Sequence, residues 1–169
     1  REPLVWCGAD LVREVFLQGG MFGHRRFSAD IDQPLGGTVA FRLNGMFEDS
    51  DSFRDGVGLT RYGVTPAVTI APSARTTIAL RYEHLHDTRV ADRGIPSFHG
   101  LPVDVDGGLF YGNPDASQVR AGVDLGSATI EHRAGRVTVR NQTLFGDYDR
   151  FYQNFVPGAV TADGRQVSL

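Results

Sequence analysis

The sequence predicts an all-β protein: an antiparallel, up-and-down transmembrane β-barrel segment of about seven strands, open and curved when taken as a fragment. Three observations carry this. Apolar and polar residues alternate with a period of two through much of the chain, so successive side chains of each run meet opposite environments. Most of the runs are about 9–12 residues long, near what a tilted strand needs to cross a bilayer. Beyond the first hairpin, short and long connections alternate, which is the habit of outer-membrane barrels. The 21 glycines supply turns, and no stretch of useful length shows a 3.6-residue period.

The elements follow in order. Residues 11–18 and 24–32 form a first pair around Gly19-Gly20-Met21-Phe22-Gly23. After the short link 33–37 comes the clearest strand, 38–48. There Val39, Phe41, Leu43 and Phe47 share one face, while Ala40, Arg42, Asn44, Met46 and Glu48 share the other. A long link, 49–58, leads to a strand over 61–70, with Tyr62, Val64, Val68 and Ile70 on its apolar face. Pro66 removes a ladder donor there and marks an edge or a bulge. A short turn at 71–75 precedes the strand 76–86, with Ile78, Leu80 and Tyr82 opposite Ala79, Arg81 and Glu83. The link 87–118 is long and rich in glycine and proline. Two last strands, 119–132 and 137–145, flank a tight turn at Ala134-Gly135.

Composition narrows the function. The 17 basic residues, all arginine, stand against 20 acidic ones for a net charge of −3, which argues against a nucleic-acid partner. The single cysteine, Cys7, builds neither an intrachain disulfide nor a cysteine zinc site. No apolar run reaches the length of a membrane-spanning helix, a fact that leaves a barrel open. Ser50, Ser52, Ser73 and Ser97 lack a nucleophile-elbow context, and Gly19–Gly23 lacks the Lys-Ser/Thr of a phosphate loop. No catalytic residue is assigned, and the chain is expected not to be an enzyme.

Several motifs resemble one family. Asp30-Ile31-Asp32, Phe41-Arg42-Leu43-Asn44-Gly45 and Asp49-Ser50-Asp51-Ser52-Phe53-Arg54-Asp55 resemble the early barrel strands of TonB-dependent siderophore receptors. So do Thr65-Pro66-Ala67-Val68 and the later Tyr82-Glu83. The most specific stretches are Asp92-Arg93-Gly94-Ile95-Pro96-Ser97-Phe98-His99-Gly100-Leu101-Pro102 and Phe110-Tyr111-Gly112-Asn113-Pro114. The likeness is strongest to the catecholate type. It implies an outer-membrane receptor of a Gram-negative bacterium with an N-terminal plug inside a barrel of about 22 strands. On that scheme residues 1–10 are the end of the plug or a foreign leader, and residues 11–169 are the first strands and outer loops of the barrel. The implied partners are a ferric siderophore, the lipid bilayer, and TonB through the plug region, which this stretch lacks. Iron enters only as the siderophore chelate, and no resident cofactor or metal is implied.

The same resemblance makes the link 87–118 an outer gate. Arg89, Arg93, Phe98, His99, Phe110 and Tyr111 would offer charge and aromatic surface to an anionic, flat-ringed chelate. A plainer reading gives Gly94, Pro96, Gly100 and Pro102 turn duties and the aromatics a packing role. Arg42, Arg81 and Glu83 lie on polar faces and would line the lumen. His84 and His86 share a face with Asp87 close by, a possible ligand pattern. That face also carries Ile78, Leu80 and Tyr82, which favours an interfacial belt over a metal. An alternative of another class stays open: a soluble β-sandwich or small barrel that binds a ligand or a partner. In it the apolar faces would meet a second sheet instead of lipid.

Overall fold

The computed structural model describes residues 11–163 and 166–168, so the expectation for residues 1–10 lies outside it. Seven strands form one antiparallel sheet in the order β1-β2-β3-β4-β5-β8-β9. They are β1 (Arg13–Gly19), β2 (Arg25–Pro34), β3 (Val39–Asp51), β4 (Gly58–Ser73), β5 (Thr76–Val90), β8 (Gln118–Ala134) and β9 (Val137–Tyr152). A separate two-stranded ribbon, β6 (Ser97–Phe98) with β7 (Leu101–Pro102), lies within the loop between β5 and β8. Every neighbour in the large sheet is a neighbour in sequence, apart from that ribbon. This is an up-and-down meander.

The register carries the alternation from strand to strand. Phe27 stands opposite Phe47, and Phe47 opposite Tyr62. Val68 stands opposite Leu80, and Ile78 opposite Ile130. On the other side of the sheet Asp30 faces Asn44, Glu48 faces Arg61, and Arg61 faces Asp87. A slip of one residue would exchange the two sets, so two contrasting environments pin the pairing.

The burial is inverted relative to an ordinary domain. Among the described residues Ala40 is the one buried hydrophobic residue of the core. The buried polar residues of the sheet are Asp32, Glu48, Thr69 and Asp87, and all share the face of Ala40 and Arg42. The charged side of the sheet is the sheltered one, and the apolar side is the more open. Leu80 is 46% and Ile130 47% exposed there. Among the described residues no second sheet covers either face, whereas a sandwich buries one face of each sheet. The sandwich alternative therefore finds no support.

Three expectations need correction. The strands run further than the alternation suggested: β3 reaches Asp51, β5 reaches Val90 and β9 reaches Tyr152. The long links shrink accordingly, to 52–57 and 91–117. Arg89 therefore sits in β5 instead of the loop. Pro66 marks neither an edge strand nor a break, since β4 lies between β3 and β5. The ladder to β5 simply skips Thr65 and Pro66, between Val64 opposite His84 and Ala67 opposite Arg81. The missing N–H is absorbed as a local gap.

Candidate functional site

The connections sort by end. Links 20–24, 52–57 and 91–117 lie at one end of the sheet, and links 35–38, 74–75 and 135–136 at the other. The first set contains every long connection, and the first hairpin now belongs to it. The tight turn after β8 needs a left-handed residue, which Gly135 supplies at φ 63°.

Below the long-loop end, the sheltered face carries a band of paired charges. The Arg42 guanidinium grips Asp30 in a bidentate pair, at 2.9 and 2.6 Å. One oxygen of Glu48, Oε2, accepts from Arg26 at 2.7 Å and from Arg61 at 2.8 Å. Nearer the rim Arg89 holds Asp87 in the same two-pronged way, at 2.7 and 2.6 Å. Each carboxylate is thus neutralised where it is sheltered, which is what keeps a buried charge tolerable. Arg81 and Glu83 share this face, opposite Ser127 and Leu125 of β8. The three residues expected to line a lumen therefore stand on one face of the sheet.

The long loop is tied down at its base and along its length. Ser117 is fully buried. Its Oγ accepts from the N–H of Asn113 at 3.3 Å and of Phe155 at 3.4 Å. Further out, the loop leans on link 52–57. Arg54 pairs with Asp92 at 2.7 Å, and it donates to the Leu109 carbonyl at 3.0 Å. The Asp55 N–H donates to the Gly108 carbonyl at 2.8 Å. Beside link 52–57 a groove is lined by Phe22 of the first hairpin, Phe53, Leu59, Arg89 and Val90.

The six loop residues singled out from sequence do not meet at one point. Arg89 reaches the rim from β5 and is engaged with Asp87. Arg93 donates to the Tyr152 hydroxyl, with its guanidinium 5.5 Å from the centre of that ring. Phe98 and His99 lean on each other at the ribbon, with ring centres 4.1 Å apart, and His99 adopts φ 50°. The Phe110 ring fills the space that a side chain at Gly112 would need. Tyr111 follows it, half-buried. They are distributed over the rim as a lining with no single focus.

The two histidines are occupied on the opposite, apolar face. His84 Nδ1 bonds Asp124 at 2.8 Å, and the Tyr82 hydroxyl donates to the same carboxylate. His86 stacks on Tyr62 with ring centres 5.3 Å apart, and its Nε2 lies 3.2 Å from the Thr88 hydroxyl. Among the described residues no three of His, Cys, Asp and Glu gather as a metal-ligand set. Sequence reasoning missed Arg54, Asp92 and Tyr152 as partners across the rim, and the Arg26–Glu48–Arg61 triad. All lay on polar-phase or loop positions, but only the register joins residues so far apart in the chain.

No family model matches the chain. The catecholate siderophore receptor Fiu of Escherichia coli K12 is 30% identical over 161 residues, covering 85% of this chain and 20% of the relative. The metal-pseudopaline receptor CntO of Pseudomonas aeruginosa is 25% identical over 126 residues, covering 73% of this chain and 18% of the relative. The crystal structure of the ferric-catecholate import receptor Fiu in its open form superposes with a TM-score of 0.76 at 28% identity, over 85% of this chain and 24% of that one. The siderophore receptor PiuA of Acinetobacter baumannii shares the fold, with a TM-score of 0.75 at 21% identity over 87% of this chain and 22% of that one. The chain spans about a fifth of the length of the curated relatives it matches.

Proposed function

We propose, from the homology of this chain to siderophore receptors of the TonB-dependent class, that it forms part of the wall and outer gate of such a receptor. The whole protein binds a ferric siderophore at the outer face of a Gram-negative outer membrane. It imports the chelate with energy delivered by TonB through a plug region, and it performs no catalysis.

The observation that carries this reading is the inverted burial. A charged, sheltered face and an open apolar face suit a sheet with water inside and lipid outside. Val39, Phe41, Leu43, Val64, Val68, Ile78 and Leu80 then meet hydrocarbon. Arg42, Arg81 and Glu83 line the lumen. At the rim Arg89, Arg93, Phe98, His99, Phe110 and Tyr111 offer guanidinium and ring surface to the chelate, whose anionic, flat-ringed ligands suit both. The iron arrives wrapped, so the protein supplies no ligand to it and needs no resident metal.

The test uses the whole gene in an iron-starved host stripped of its own catecholate receptors. Growth and ferric-catecholate uptake are expected with the intact gene, and loss of uptake after deletion of residues 92–111. Unchanged uptake after the deletion would remove the gate assignment. Absence of uptake with the intact gene, properly inserted, would remove the transport reading.

A further inference from the structure

We infer that Arg54 is a latch that locks link 52–57 and the loop 91–117 into one moving part, and that breaking its pair with Asp92 uncouples the start of the loop from that link. The inference goes beyond the transport reading and does not depend on it.

The two loops interlock at several points. The Arg54 guanidinium reaches both limbs of the longer loop: Asp92 on the outgoing limb at 2.7 Å and the Leu109 carbonyl on the returning limb at 3.0 Å. Its side chain is only 10% exposed and that of Asp92 26%, so the pair is partly withdrawn from water. It also lies over the Phe53 ring, 5.1 Å from its centre. Beside it, Asp55 donates to the Gly108 carbonyl. The ring of Pro114 fills the space where a side chain at Gly56 would stand. Of these ties to link 52–57 the ion pair is the one nearest the point of departure, one residue before Arg93 and its separate bond to Tyr152 of β9. Asp92 uses its second oxygen to hold the N–H of Gly94 at 2.7 Å, and Gly94 turns the chain at φ 79°. One carboxylate therefore fixes both the latch and the bend at which the loop leaves the sheet.

Beyond the bend the ribbon β6–β7 is held by its own contacts. The Val103 N–H donates to the Pro96 carbonyl at 3.1 Å, and Leu101 at the tip is 71% exposed. The ribbon is thus a self-contained flap on a latched stalk. Releasing the latch uncouples the stalk from link 52–57 without unravelling the flap. The Arg54 Nε is buried and makes no hydrogen bond, so Asp92 holds it as an ion pair alone.

The experiment is site-resolved amide hydrogen exchange on the whole gene product in lipid nanodiscs. Exchange reads the equilibrium for local opening. Arg54→Gln removes the charge that reaches both limbs. Asp92→Asn removes the ion pair while its side-chain oxygen still accepts from Gly94. Each is expected to speed exchange of the Asp55 amide about tenfold, with the Val103 amide unchanged. The double variant is expected to match Arg54→Gln, because the ion pair that Asp92→Asn removes is already absent there. Unchanged Asp55 exchange in both variants would overturn the latch. So would Asp55 and Val103 accelerating together, which means general loosening, or a double variant equal to the product of the singles. If Arg54→Gln does not insert, Asp92→Asn carries the test alone. Neither result depends on chelate uptake, so this inference and the transport reading fail separately.

Discussion

The two faces of the sheet share one backbone and one hydrogen-bond ladder, yet they follow opposite rules. On the sheltered face, stability rests on specific partners: Arg42 with Asp30, Glu48 with Arg26 and Arg61, and Asp87 with Arg89. On the open face, where Leu80 is 46% and Ile130 47% exposed, stability in the proposed reading rests on transfer into lipid. The contrast teaches that the environment, more than the fold, sets what a strand position requires. A polar substitution is harmless or harmful according to its phase in the strand.

Substitutions that cross between the faces should give the largest effects. Leu80→Arg places a charge on the open face opposite Val68 and Ala128. For the whole barrel refolded into lipid, the expected loss is about 2–4 kcal/mol if the site lies near the bilayer midplane. Urea titration followed by the heat-dependent gel shift of folded barrels measures it. A loss near zero would mean that this face does not meet hydrocarbon, and the contrast would collapse.

Next comes Glu48→Ala, which leaves Arg26 and Arg61 without their shared acceptor at a position 7% exposed. The two arginine side chains remain about a third exposed, so water tempers the loss. A destabilisation of about 1–3 kcal/mol is expected in the same titration. Glu48→Gln should recover part of it, since its amide oxygen still accepts. The smallest effect belongs to Asp49→Asn, whose partner Arg25 has a side chain 72% exposed. An exposed pair of this kind contributes about 0.2–1 kcal/mol, and added salt should erase it. If Asp49→Asn matched Glu48→Ala, the shelter of the charged face would not be what distinguishes them.

The alternation was legible wherever the two environments contrast sharply. In β3 the sets headed by Val39 and Ala40 could be sorted by eye, because neighbouring residues answer to opposite surroundings. The same logic explains the strand ends that could not be read. Asp49, Ser50 and Asp51, like Asp87, Thr88 and Arg89, are polar on both phases. No period survives there, though the ladder continues. The site was legible only as an inventory. Arg89, Arg93 and Tyr111 could be named from residue type and from the motifs around them. The partner of Arg93 could not, because Arg93 meets Tyr152, as Arg54 meets Asp92, across a long stretch of chain. Such pairings follow from register and loop path, which no local pattern encodes.

The gap at Pro66 has a mechanical consequence. A sheet bends most easily where a rung is missing, and this one lacks rungs between β4 and β5 at the level of Leu43. The remaining ladders on both sides are continuous over longer spans, so flexing should gather along this seam. The wall then behaves less like a uniform shell than like two stiff panels with a crease, and the crease runs beneath the rim that carries the long loop. Any strain applied to the sheet would be felt first as a change of angle there, one residue from Arg42 and its bidentate grip on Asp30.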